Sequence, residues 1–212
     1  MGQVFPRSAN LIAPVSVVVV VLLVGAAAAF LILAPQSFAA PVLAQPVAFS
    51  HQQHVGNLGI DCRYCHTTVD RAPFAGIPST QICMNCHSEV LSSDDKLALV
   101  RDSSTNGRPL VWTRVHHLPD YAYFDHSAHV NKGVACVTCH GQVDQMPVVV
   151  QTRSLQMSWC MDCHRNPAPK IRPRDQVTNM NWQPPADFDQ VRQHLIEEYH
   201  VESKTSCSTC HR

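Results

Sequence analysis

The chain carries no excess of charge of either sign. Its 16 Lys and Arg balance 16 Asp and Glu over 212 residues, so the basic footprint of a nucleic-acid-binding protein is missing and no nucleic acid is expected as a partner. Charged residues make up only 15% of the sequence and aromatic residues only 7%. Beyond one hydrophobic run near the N-terminus, there is too little aliphatic material for a large side-chain core. Fifteen prolines are spread along the chain, which limits long helices and central strands. No cysteine is left over for a disulfide framework, because all ten are committed to one repeated motif.

That motif is C-x-x-C-H, and it occurs five times: Cys62, Cys65 and His66; Cys83, Cys86 and His87; Cys136, Cys139 and His140; Cys160, Cys163 and His164; Cys207, Cys210 and His211. Given the Cys and His frequencies of this chain, roughly 0.03 such motifs would arise by chance. Zinc knuckles are the competing reading. Zinc, however, needs motifs that converge in pairs on four ligands, and it does not require a histidine directly after every second cysteine. The pattern is that of covalent c-type haem attachment, in which both thiols form thioether links and the histidine becomes the proximal iron ligand. Five covalently attached haems c are therefore expected. Their porphyrin faces would supply the apolar surface that the side chains lack.

Residues 1–10 read as a short cytoplasmic N-terminus. Residues 11–33 form a run of 23 without a charge, about 35 Å long as a helix and enough to cross a bilayer, with Pro14 expected in its first turn. A cleaved secretory signal is the alternative, since Val42-Leu43-Ala44 offers a small-residue cleavage site. The run exceeds a usual signal core, which favours a retained transmembrane anchor in contact with membrane lipid. Because c-type haem is attached outside the cytoplasmic membrane, the haem domain is expected on the periplasmic side of a bacterial inner membrane. Residues 34–48, with three prolines, read as an extended linker, and residues 49–212 as the haem domain. Within it, residues 94–100 read as a short helix followed by an Asn106-Gly107 turn, and residues 165–185 as irregular. Asp187 and Gln190 suggest a capping box opening an amphipathic helix, with Phe188, Val191, Leu195 and Tyr199 on one face. That helix leads into the last site, within residues 187–212. The expected fold is mostly irregular, with short α-helices.

The haem domain contains a duplication. Residues 49–87 and 124–164 form two modules that share their anchors. Phe49-Ser50-His51-Gln52-Gln53-His54 matches Phe124-Asp125-His126-Ser127-Ala128-His129, and Ile82-Cys83-Met84-Asn85-Cys86-His87 matches Trp159-Cys160-Met161-Asp162-Cys163-His164. With five histidines proximal, eight remain for five distal positions, and the identity of the sixth ligand decides what each haem does. The duplicated F-x-H-x-x-H segment resembles that of the class III multihaem cytochromes c. The resemblance implies that His51 serves the Cys62 haem and His126 the Cys136 haem, while His54 and His129 each serve another haem. For the fifth position, His116 is the choice on its aromatic and aliphatic surroundings, Trp112, Val115 and Leu118; Met157, Met146, His194 and His200 compete.

Taken with the N-terminal anchor and the five motifs, the run over residues 115–129 (V-H-x-L-P-D-Y-x-Y-F-x-H-x-x-H) and the L-x-M-x-W-C-x-x-C-H-R element over residues 155–165 resemble the pentahaem subunit of bacterial alternative complex III. The likeness covers most of residues 49–165. It implies a quinol-oxidising membrane complex with an iron–sulfur subunit related to molybdopterin enzymes, polytopic membrane subunits and a monohaem cytochrome c. In that complex this chain would relay electrons to a periplasmic acceptor without catalysis of its own. The alternatives are a catalytic multihaem reductase with one open iron and a stand-alone membrane quinol dehydrogenase. All five motifs keep their histidine, which speaks against the reductase.

Overall fold

The structure, a computed structural model, describes residues 9–33 and 40–211. The expected N-terminal segment falls outside these residues except for its last two, as does the expected linker up to residue 39. The chain divides into two compact units, residues 1–37 and 38–212.

The first unit contains one helix, α1 (Ala9–Leu33), 25 residues with no acidic or basic side chain in either end turn. It begins two residues earlier than expected. Pro14 therefore lies inside the helix rather than in its first turn, where its ring removes one backbone hydrogen bond. Counted over the described residues, no helix is long and apolar enough to cross a membrane.

The second unit is irregular chain punctuated by short helices, and among its described residues there is no β-strand, only the isolated bridges Ala122–His211 and Val134–Ile171. The helices form where the motifs are. A three-residue offset places both cysteines of C-x-x-C on one side of a single turn. That turn appears as α2 (Cys62–Cys65), α6 (Cys136–His140) and α9 (Cys207–Cys210). The second motif of each module ends a longer helix, α3 (Thr80–His87) or α7 (Met157–Arg165). The duplication is thus repeated in the helices.

Asp94 caps a 3-10 turn over Asp95–Leu97, and the chain continues as α4 (Ala98–Asn106), six residues beyond the expected end. Gly107 closes it at φ 64°, the left-handed setting that glycine takes without strain. Helix α4 packs against α3. The distal-histidine segment of the second module is α5 (His126–Val130); its counterpart in the first module is the wider π-turn Gln52–Asn57. That π-turn lies against the turn at Val143–Gln145. The approach is so close that a side chain on Gly56 would run into the Asp144 carbonyl.

The side-chain core is small and sits near the C-terminus. Ile171, Phe188, Leu195 and Tyr199 are buried together, with Val134, Trp182, Ile196 and Val201 packed around them. Of the four buried residues, Phe188 and Leu195 lie in α8 (Phe188–Glu198) and Tyr199 adjoins its end. Val191 was expected on the same face, but it is 45% exposed. Asp187 makes no side-chain cap hydrogen bond, so the expected capping box does not form. Arg172 over Trp182 at 4.7 Å and Arg174 over Tyr199 at 3.9 Å close the rim of this cluster.

Candidate haem sites

Each distal-histidine segment is built around its phenylalanine. Phe49 stacks on His54 at 4.4 Å and 25° and meets His51 edge-on at 4.8 Å and 88°. Phe124 does the same with His129 at 4.4 Å and 25° and with His126 at 4.8 Å and 90°. The two clamps agree although one stands on a π-turn and the other on an α-helix. The residue just after each phenylalanine caps the segment. The Ser50 hydroxyl accepts from the Gln53 amide at 3.2 Å, and the Asp125 carboxylate accepts from the Ala128 amide at 3.3 Å and the Ser127 hydroxyl at 2.7 Å.

The clamped rings face the motif histidines. His54 and His87 have ring centres 6.2 Å apart, His126 and His140 6.3 Å, and His129 and His164 6.0 Å. His54 and His129 therefore each meet the second motif of their own module. His51 lies deep enough that burial, with His66 and then His54 as charged neighbours, lowers its pKa to about 4. Its Nδ1 is buried without a hydrogen-bond partner.

Seven histidines share one further feature. Nδ1 lies on a backbone carbonyl: His54 on Ser50 at 2.8 Å, His66 on Gly76 at 2.7 Å, His87 on Val90 at 2.9 Å, His126 on Pro73 at 2.7 Å, His129 on Asp125 at 2.7 Å, His164 on Lys204 at 2.9 Å and His211 on Tyr121 at 3.1 Å. A carbonyl can only accept, so Nδ1 carries the proton and Nε2 keeps a free lone pair. Gly76 presents its carbonyl from a left-handed turn at φ 79° that glycine favours.

These observations test whether the residues fit a haem iron. With a metal–imidazole bond of about 2.0 Å and roughly 1.1 Å from ring nitrogen to ring centre, two imidazoles facing each other across a metal have centres about 6.2 Å apart. The three measured separations match. The seven fixed tautomers leave the nitrogen that would bind. The polypeptide has few buried apolar residues of its own, while Phe74, Ile77 and Tyr121 stand 63–72% exposed. None of the ten cysteines is in a disulfide. Among the described residues, no group of three or more His, Cys, Asp or Glu gathers as a zinc site would need. The residues fit haem.

The attachment motifs also neighbour one another. The thiols of Cys62 and Cys136 are in hydrogen-bonding contact, which disfavours ionising both and holds Cys62 up as a thiol. Burial and then the nearby Cys83, Cys62 and Cys86 push the Cys65 thiol up. Burial followed by Cys163 and Cys160 pushes Cys139 up to about 11, and burial followed by Cys210 and Cys163 raises Cys160. In space the motifs run Cys83, Cys62, Cys136, Cys160, Cys207, with the first two exchanged relative to the sequence.

The competitors for the fifth position are scattered. The structure brings His116 against His140, with Nε2 3.3 Å from Nδ1 and ring centres 4.4 Å apart at 72°. Burial, together with the neighbouring His116 and His126, lowers His140 to about 3. His211 has the Tyr121 ring at 5.9 Å. Met157 is 63% exposed at the start of α7, and Met146 is half-buried. His194 lies 3.9 Å from Glu198, and His200 is exposed at φ 51°. Sequence reasoning missed the clamp role of Phe49 and Phe124, although their recurrence at one offset was a signal. The carbonyl acceptors leave no such trace.

Comparison with known proteins gives three matches. The cytochrome c3 profile matches residues 128–212, and the profile for cytochrome c7 and related cytochromes c matches residues 47–104. The multihaem cytochrome c subunit of menaquinone reductase from Nitratidesulfovibrio vulgaris (strain Hildenborough) is 33% identical over 143 aligned residues, covering 58% of this chain and 68% of that protein.

Proposed function

The chain belongs to the multihaem cytochrome c family, and from that premise we propose that it is a membrane-anchored pentahaem electron relay of a quinone-linked complex of the alternative complex III type. It carries electrons from quinol oxidation to a periplasmic acceptor and has no catalysis of its own. One observation carries this reading: His54, His126 and His129 each stand about 6 Å, ring centre to ring centre, from a motif histidine. At those three sites histidine on both sides leaves no open position for a substrate, which favours relay over reduction of a small molecule.

When bound, each haem supplies an iron that changes valence by one electron. The chain's residues hold and orient it. The five cysteine pairs would anchor the porphyrins, and His66, His87, His140, His164 and His211 would each hold the iron of their own site. His51, His54, His126 and His129 would supply a second histidine at the Cys62, Cys83, Cys136 and Cys160 sites respectively. In seven of these nine histidines, all but His51 and His140, an Nδ1–carbonyl bond would set the ring plane and raise ligand basicity.

The uncharged α1, whose backbone runs from Ala9 to Leu33 and spans about 37 Å, supports an inner-membrane anchor with the haem unit in the periplasm. The relative's name supports a quinone-linked complex as the setting. The partners are then an iron–sulfur subunit of the molybdopterin-enzyme kind, polytopic membrane subunits and a monohaem cytochrome c. Because that relative is a menaquinone reductase, electron flow toward quinone is the second reading.

Purification of the native protein in mild detergent tests the proposal. The expected result is recovery with those subunits, five haems per chain by pyridine haemochrome, and reduction by added quinol. A lone active protein would overturn the complex, two or three haems would overturn the architecture, and quinone reduction without quinol oxidation would establish the second reading.

A further inference from the structure

We propose that His116 is a positioning residue for His140: its Nε2 accepts the Nδ1 proton of that ring, fixes its orientation and lowers the reduction potential of the iron that His140 holds. The inference rests on the haem reading above.

Three observations carry it. The nitrogens are 3.3 Å apart, in hydrogen-bonding contact, with the rings crossed at 72° and their centres 4.4 Å apart. His116 is half-buried, and its own carbonyl is held by Arg114 Nε at 3.0 Å, so the contact is built into the fold. His140 also departs from a consistent set: seven of the nine candidate ligands donate Nδ1 to a backbone carbonyl, His51 leaves its Nδ1 without a partner, and His140 alone among them meets another imidazole there.

A histidine bound to iron through Nε2 must carry its proton on Nδ1 and therefore donates here. An imidazole nitrogen is a stronger base than an amide oxygen. It draws the proton further from His140, makes that ring more electron-rich and favours the ferric state. The same lone pair is then engaged and is not available to a second iron, so His116 is a partner of the third site rather than the fifth distal ligand.

EPR-monitored redox titration of the purified full-length protein in detergent tests this, comparing wild type with His116→Phe and His116→Gln. In His116→Phe, the midpoint of one low-spin haem should rise while the others stay in place and the haem count and spin state are unchanged. His116→Gln keeps an acceptor of the carbonyl kind, so the same haem should shift in the same direction by less. Unmoved potentials would overturn the proposal. So would conversion of one haem to high spin, which would make His116 a direct iron ligand. If His116→Phe fails to fold, the upward shift must still appear in His116→Gln, and its absence there is equally fatal. A haem count below five in wild type would strike the underlying haem reading instead.

Discussion

Phe124 touches two imidazoles with two different geometries, stacked on His129 and edge-on to His126. One side chain thereby sets the planes of two rings that face different motif histidines. The results differ: His126 and His140 are nearly parallel at 11°, whereas His129 and His164 cross at 64°. Parallel imidazoles split the iron d orbitals that accept their π density, while crossed ones leave them nearly equal. Low-temperature EPR should therefore resolve a less and a more anisotropic low-spin class. Each aromatic contact is worth about 0.5–1.5 kcal/mol beyond its area. Phe124→Ala should broaden one signal of each class, with the His54–His87 signal, set by Phe49, unchanged. A change confined to a single haem would show that the clamp holds only one ring.

The two modules place their rings alike on unlike elements, and the cap is where they diverge. Ser50 starts the π-turn with a hydroxyl, whereas Asp125 starts α5 with a carboxylate that takes both the Ala128 amide and the Ser127 hydroxyl. Loss of such a cap costs about 0.5–2 kcal/mol. Asp125→Ala should therefore lower stability by that amount in denaturant titrations followed at the haem absorbance, and Asp125→Ser should restore most of it. Equal loss in both variants would mean that the cap contributes nothing. The elements were legible in the sequence to different degrees. Apolar periodicity marked α8, whereas the one-turn helices α2, α6 and α9 at the cysteine pairs were not anticipated. The sequence did not mark the extension of α4 to Asn106, which packs against α3. For α4, tertiary contact decided the outcome rather than local pattern; nor did the sequence show that Asp187 would leave its cap unmade.

At the scale of the molecule, the sequence disclosed the ten candidate attachment cysteines and the candidate histidines, because the chemistry of a multihaem cytochrome c demands those residue types. The resemblance placed His126 with the Cys136 motif, where it stands opposite His140, but nothing in the sequence disclosed that His54 and His129 face the second motif of their own module, since that depends on chain paths between segments with no regular structure to guide them. His116 shows the limit: its apolar neighbours suggested a place beside an iron, and only the fold set its nitrogen against His140. The spatial order of the motifs was hidden for the same reason. That order joins the modules through many non-local bonds. Gln52 N–H reaches the Met146 carbonyl at 3.0 Å, the His126 N–H reaches that of Pro73 at 3.1 Å, Ser127 that of Ala72 at 3.3 Å, and the Thr178 hydroxyl the Asp61 carboxylate at 2.8 Å. The connector between the modules therefore has little to hold together. A chain severed after the exposed Gly107 should survive as two interlocked fragments that co-elute and part only in denaturant, and separation in native buffer would show that the covalent link is required. The duplicated halves are thus mutual clasps, and their continuity along one polypeptide serves delivery of both to the same place more than their cohesion once there.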